Sequence, residues 1–166
     1  MSIKEAQERR AKIFERKPDT AKSTGHTHVI LTEGTRCEVT QGDWKLVSDQ
    51  PTHNGGANEG PDPGFFGRAA LGACLAQGYA IEFAKRDLKF TSIKIDLDSD
   101  IDARGAMGLG EDIVPGYQQL RYTVFVESAE SEDAIKSAVE TAESTSPWLY
   151  NFKAALDLRS DVSVIR

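Results

Sequence analysis

Apolar and small residues dominate the middle of the chain, from Pro63 to about Lys85, where the sequence reads PGFFGRAALGACLAQGYAIEFAK. Asp62 is a residue type that favours the N-cap of a helix, and proline favours the first turn. This run therefore predicts one long helix. Because a helix that is apolar all round lies inside a larger body, we expect it at the centre of the fold. Its small residues let another backbone approach closely, and in so short a chain we expect that backbone to come from a second subunit.

Three short apolar-rich runs precede this helix, at residues 28–32, 35–40 and 44–48, and turn-forming residues separate them. The spacing predicts three strands joined as a meander. Residues 49–64 are rich in proline and glycine, which predicts a loop with fixed turns.

Alternating polar and apolar positions after the long helix predict two further strands, over 91–97 and 120–126. Ser131 is followed by two acidic residues and an apolar stripe, which predicts a helix that ends before Pro147. Alternation over 156–164 predicts a last strand. This order of elements favours an antiparallel α+β fold over a parallel βαβ arrangement.

The amino-terminal segment is highly charged and has only a thin apolar stripe. Residues 2–16 predict a helix, which Pro18 ends. We expect residues 1–22 to form a peripheral helix or arm, and residues 23–166 to form a single α+β domain.

Composition narrows the classes of partner and compartment. The formal net charge is −6 and the sequence pI is about 5.1, which argues against nucleic acid or an anionic membrane as a partner. The chain begins with charged residues and has no run of the ~20 apolar residues that span a bilayer. We therefore expect a cytoplasmic protein.

Few residues are available for metal or redox chemistry. The two cysteines, Cys37 and Cys74, do not form a CxxC pair, which excludes a disulfide framework or a cysteine-rich zinc site but not a reactive thiol. His26, His28 and His53 could supply three imidazoles to zinc, but no acidic second shell is evident, and we interpret them as surface histidines. We predict no metal and no cofactor.

Several motifs resemble the OsmC/Ohr family. They are DQP at 49–51, GGxNxGPxP at 55–63, AALGACL at 69–75, DxRGxxG at 102–108 and PGY at 115–117. The resemblance implies an OsmC-like α+β fold, with antiparallel sheets wrapped around a long buried central helix. It further implies an intertwined homodimer with an active site at the dimer interface.

In the peroxidase members of that family, a cysteine on the buried helix attacks an organic hydroperoxide and a second cysteine resolves the sulfenic acid. A glutamate–arginine pair holds the first thiolate ready. Cys74 matches the attacking cysteine. The glutamate would fall at Gly64 or Phe65, neither of which is acidic, and the place of the resolving cysteine is held by Ser146. Arg36 is the candidate for the arginine.

Two functions of different class follow. The first is a thiol-dependent hydroperoxide reductase in which Cys74 is regenerated by an external thiol or by Cys37. The second is a non-catalytic protein that binds an apolar small molecule in the interface cleft, against Phe65, Phe66 and Trp148. Either cysteine could instead be simple core packing. A redox sensor that signals through oxidation of Cys74 is a third possibility.

Overall fold

A computed structural model describes residues 1–165 and contains five α-helices and two antiparallel sheets over that range. The helices are α1 (Ile3–Arg16), α2 (Pro63–Lys85), α3 (Ala103–Ala106), α4 (Glu132–Ser144) and α5 (Pro147–Lys153). The strands are β1 (His28–Glu33), β2 (Arg36–Gln41), β3 (Trp44–Ser48), β4 (Ser92–Ile101) and β5 (Tyr117–Glu127).

Helix α2 begins and ends where the sequence predicts. The Asp62 carboxylate accepts a hydrogen bond from the Phe65 N–H at 2.9 Å, which caps the first turn. The helix buries one stripe of large side chains, each four residues from the next (Leu71, Leu75, Tyr79 and Phe83). Its other side is built of small residues and is partly open to solvent in the single chain. The small-residue side of α2 is therefore available to pack against another surface.

The core lies between α2, α4 and the sheet of β4 and β5. These two strands pair over their whole length, from Ser92 opposite Glu127 to Ile101 opposite Tyr117. Alternate side chains of both strands pack against the buried core that the stripe of α2 forms with residues of α4 and α5, as the alternation in the sequence predicts. Ser131 caps α4 by accepting a hydrogen bond from the Ala134 N–H at 3.3 Å.

Strands β1, β2 and β3 form the predicted meander, but its apolar face is not covered within the single chain. Val29 lies opposite Val39, which lies opposite Leu46, so these side chains share one face. Trp44 continues the same face and is 79% exposed. Such a contiguous exposed apolar surface is typical of an interface.

The loop after β3 is fixed by one buried carboxylate. Asp49 is 2% exposed and accepts four hydrogen bonds, from the Thr35 hydroxyl (2.7 Å) and from the N–H groups of Gln50 (2.8 Å), Ala57 (3.0 Å) and Glu59 (3.1 Å). These donors lower the pKa of Asp49, the Thr35 hydroxyl most of all, because they favour the ionised form. Gly56 is needed here, since a Cβ atom would lie 1.9 Å from the Gln50 carbonyl oxygen.

The carboxyl-terminal part of the chain differs from the prediction. The expected strand over 156–164 is wrong for the single chain, because residues 154–165 carry no helix or strand. Helix α5 was not expected, although Ser146 and Pro147 supply its N-cap and first turn. Alternating apolar residues become a strand only where a sheet edge is available to pair with them. The short helix α3 lies between β4 and β5, where the sequence predicts no helix or strand.

Helix α1 packs beside α2. Ser2 and Glu5 form a reciprocal capping box at its start, and Lys4 forms an ion pair with Asp87 just beyond the end of α2. Residues 3–16 thus form a helix, as the sequence predicts, and none of its residues is buried. Within residues 1–165, none of the helices has the length and apolar character required for a membrane span.

Candidate functional site

A cavity of about 510 Å³ lies beside Cys74, between the small-residue side of α2 and the start of α5. Its walls include Ala70, Ala73, Cys74, Gln77, Ser146 and Trp148. Cys74 is half-buried, so its sulfur combines partial shielding from water with access from the cavity. Both properties suit a thiol that meets a small molecule.

Ser146 lies directly against the cysteine. The distance between Cys74 Sγ and Ser146 Oγ is 3.5 Å. Ser146 is also the N-cap of α5, where its Oγ accepts a hydrogen bond from the Leu149 N–H at 3.3 Å. The side chain is 7% exposed. Folding thus brings together Cys74 and the residue at the place that the resemblance assigns to a resolving cysteine.

A partly buried hydrogen bond joins α2 to the end of α4, near the cavity. The Tyr79 hydroxyl donates to the Glu143 carboxylate at 2.8 Å. Burial and the Glu143 carboxylate raise the pKa of Tyr79 above its ordinary value, and the same causes raise the pKa of Tyr122 to about 12. Both phenols therefore remain protonated, as hydrogen-bond donors, across the physiological pH range.

The charged side chains at the far end of the cavity are paired. Glu82 is buried and accepts hydrogen bonds from Arg86 at 2.8 Å and from Lys85 at 3.3 Å. Arg86 also donates to the Ser137 and Thr141 hydroxyls of α4. This network fastens α2 to α4 and leaves the end of the cavity near Cys74 with a mostly apolar and hydroxyl lining.

Other predicted site residues lie on different elements. Arg36 is on β2, where it forms ion pairs with Glu38 at 3.1 Å and Glu59 at 2.8 Å. Cys37, also on β2, is half-buried with its Sγ 3.9 Å from the Thr35 carbonyl oxygen. Neither lines the Cys74 cavity of the single chain. Their roles in the site stay predictions.

The predicted ligand-pocket residues divide between two places. Trp148 lines the cavity, whereas Phe65 and Phe66 do not. The two phenylalanines pack edge to face on the first turn of α2, with ring centroids 5.9 Å apart. Trp148 packs instead against Phe152 of α5, at 6.1 Å. An apolar pocket shared by all three side chains remains a prediction.

Gly64, one candidate for the place of the family's glutamate, has a polar neighbourhood. A Cβ atom at Gly64 would lie 3.0 Å from Asp62 Oδ1 and 3.2 Å from Arg68 Nη1. The Tyr117 hydroxyl donates to the Gly64 carbonyl oxygen at 3.0 Å. Arg68, which helix geometry alone places away from Cys74, is thus the guanidinium nearest to this position.

Sequence reasoning missed two residues near the thiol, Tyr79 and Glu143. Tyr79 belongs to the buried stripe of α2, and its spacing in the sequence identifies it only as a core residue. Glu143 lies on α4, 64 positions further along the chain. Only the packing of the two helices reveals their contact, and no local motif marks it.

A half-buried cysteine facing a cavity on a long central helix, within an antiparallel α+β fold, defines the class of an OsmC-like protein. The family model described as OsmC-like protein matches residues 55–161, which is more than half of the chain. The chain therefore belongs to the OsmC-like family, and the resemblance predicted from its motifs is confirmed.

Solved structures agree on the fold. An OsmC-like protein from Mycoplasma pneumoniae matches with a TM-score of 0.68 and 14% identity, over 79% of this chain and 88% of that one. The organic hydroperoxide resistance protein OsmC from Legionella pneumophila gives 0.56 and 15%, over 79% and 90%. An organic hydroperoxide resistance protein from Elizabethkingia anophelis gives 0.57 and 18%, over 80% and 89%. No match was found among curated proteins.

Proposed function

We propose that this chain is a thiol-dependent hydroperoxide reductase in which Cys74 is the nucleophile. The observation that carries the proposal is the half-buried Cys74 sulfur at the wall of a cavity, 3.5 Å from the residue at the resolving position. Family membership supports it, as do the similar proteins from Legionella pneumophila and Elizabethkingia anophelis, which are described as organic hydroperoxide resistance proteins.

The reaction divides into an oxidation and a reduction of Cys74. Its thiolate attacks the outer oxygen of the hydroperoxide, so that an S–O bond forms while the O–O bond breaks and the alcohol leaves with a proton. The sulfur is then a sulfenic acid, oxidised by two electrons. A first external thiol displaces water from the sulfenic acid to give a mixed disulfide with Cys74. A second external thiol then attacks this mixed disulfide, so that the two external thiols leave as a disulfide and the Cys74 thiol is restored. A thiol from elsewhere must resolve the sulfenic acid, because Ser146 cannot form a disulfide.

The direct test is consumption of cumene hydroperoxide in the presence of dithiothreitol. Cys74→Ser should lower the rate by at least about 100-fold, because the nucleophile is lost. Cys37→Ser is the matched control and should retain turnover if the reductant is external. Full activity of Cys74→Ser would contradict the proposal.

Cys37 could still serve as the resolving thiol if a second subunit brings β2 to the cavity. Peroxide treatment without external thiol should then yield a Cys37–Cys74 disulfide, seen as a cross-linked peptide by mass spectrometry. Detection of Cys74 sulfenic acid with no such peptide would reject this route.

We propose that the functional unit is a homodimer in the cytoplasm. Two surfaces of the single chain support the dimer: the small-residue side of α2 and the exposed apolar face of the meander. A reducing compartment is in keeping with two free cysteines, Cys37 and Cys74.

A second candidate function is the binding of an apolar small molecule without catalysis. The alanine-rich wall of the cavity and the Trp148 ring favour it. Binding of a fluorescent apolar probe should then weaken in Trp148→Ala and persist in Cys74→Ser. The reductase proposal predicts instead that Cys74→Ser abolishes hydroperoxide turnover, because turnover requires the thiol.

A further inference from the structure

Ser146 occupies the position where the resemblance predicts a cysteine, and its side chain contacts Cys74. Its Oγ lies 3.5 Å from the Cys74 sulfur and is almost wholly shielded from water. A hydroxyl buried in this way must find its hydrogen-bond partners within the protein.

The direction of this contact depends on the protonation state of Cys74: with a neutral thiol either atom can donate, whereas with a thiolate only the Ser146 hydroxyl can. One lone pair of Ser146 Oγ is used by the Leu149 N–H, at 3.3 Å. The hydroxyl proton remains available for donation, and the Cys74 sulfur is the neighbour within reach. A thiolate can only accept hydrogen bonds, so deprotonation of Cys74 strengthens the contact. The interaction therefore favours the reactive form of the thiol.

Two further contacts hold Ser146 in place. The Ser146 N–H donates to the Glu143 carbonyl oxygen at 3.2 Å. The Glu143 carboxylate in turn accepts the hydrogen bond from the Tyr79 hydroxyl at 2.8 Å. Tyr79 and Cys74 both belong to α2, so the path leaves this helix at Tyr79 and returns to it at Cys74. A shift of the end of α4 along its axis would disturb both the contact of Glu143 with Tyr79 and the contact of Ser146 with Cys74.

We propose that Ser146 is a further catalytic residue, whose hydroxyl donates a hydrogen bond to the Cys74 thiolate, and that Tyr79 and Glu143 are its positioning residues. This inference rests on the proposed function, since it takes Cys74 as the reacting group. The hydrogen bond itself acts on the sulfur whatever substrate enters the cavity. Ser146 thereby supplies part of the thiolate stabilisation that the family's glutamate–arginine pair would provide, since neither Gly64 nor Phe65 is acidic.

Alkylation of Cys74 by iodoacetamide as a function of pH tests the inference, with the Cys74 peptide quantified by mass spectrometry. Ser146→Gly removes the hydroxyl but keeps much of the capping of α5, because glycine is tolerated at the N-cap. We expect the pH midpoint of alkylation to rise by about one unit, a tenfold loss of thiolate at lower pH. Ser146→Thr restores the hydroxyl and should return the midpoint towards the wild-type value.

Ser48→Ala is the matched control. Ser48 is as buried as Ser146, but its Oγ donates to the Pro61 carbonyl oxygen on the meander side. The Ser48→Ala variant should leave the pH midpoint of Cys74 alkylation unchanged. Tyr79→Phe keeps the buried ring and removes only the positioning bond, so it should raise the midpoint by less than Ser146→Gly. Circular dichroism establishes that each variant is folded.

Equal midpoints in the wild type, Ser146→Gly and Ser146→Thr would overturn the inference. So would an equal shift in Ser48→Ala, which would mark a general effect of lost stability. Failure of the proposed function has a different signature, because the midpoint would depend on Ser146 while cumene hydroperoxide is not consumed. The two proposals are therefore tested independently.

Discussion

Ser146 and Cys74 lie close enough for a covalent bond if the serine is replaced by cysteine. We expect Ser146→Cys to form a disulfide with Cys74 after one equivalent of hydroperoxide, because the two side-chain atoms are already 3.5 Å apart. Non-reducing mass spectrometry of the peptides checks this. The variant should also accept electrons from a dithiol more readily than from a monothiol.

Thr145→Cys provides the control for this replacement. Thr145 also lines the cavity, but its hydroxyl donates to the Ala142 carbonyl oxygen and not to the Cys74 sulfur. We expect little disulfide in this variant. If Thr145→Cys cross-links as fast as Ser146→Cys, the orientation derived for Ser146 is wrong.

At the scale of elements, the loop between β3 and α2 depends on the Asp49 carboxylate. Asp49→Ala should destabilise the fold by about 2 kcal/mol, since four donors lose a buried charged acceptor. Urea unfolding measures this loss. Asp112→Ala, in an exposed loop, should change the free energy of unfolding by less than about 0.5 kcal/mol.

The contribution of Asp49 depends on pH in a defined direction. Its pKa is lowered in the folded state, so its stabilisation is complete above the unfolded value of about 3.9 and is lost as the pH falls through the folded value. The difference in stability between the wild type and Asp49→Ala should therefore shrink below about pH 4. A difference that stays constant down to pH 2 would contradict the role of the ionised carboxylate.

Local signals in the sequence predict most elements, because caps, turns and periodicity are local properties. Asp62 and Ser131 mark helix starts, and the alternation of β4 and β5 marks their buried sides. The strand predicted over 156–164 does not form in the single chain, since pairing depends on a neighbouring sheet edge that local patterns do not reveal. In the site, the motif identifies Cys74, but the contact with Ser146 arises from tertiary packing.

At the scale of the whole molecule, the uncovered face of the meander predicts dimerisation. Leu46→Glu should shift the protein to monomer, because a charge on the shared face of Val39 and Leu46 would be buried in an interface. Light scattering after size-exclusion chromatography measures the mass. Lys45→Glu, on the opposite face of β3, is the control and should leave the mass unchanged. A wild type that is monomeric at micromolar concentration would contradict the prediction.

The most direct test of the central claim is whether Cys74 carries a sulfenic acid after reaction with an organic hydroperoxide. Dimedone traps this group, and mass spectrometry of the digested protein locates it. We predict a dimedone adduct on Cys74 after one equivalent of cumene hydroperoxide, and regeneration of the free thiol when dithiothreitol replaces dimedone. A Cys74 that stays unmodified while no hydroperoxide is consumed would contradict this prediction and would favour the second candidate function, binding of an apolar small molecule.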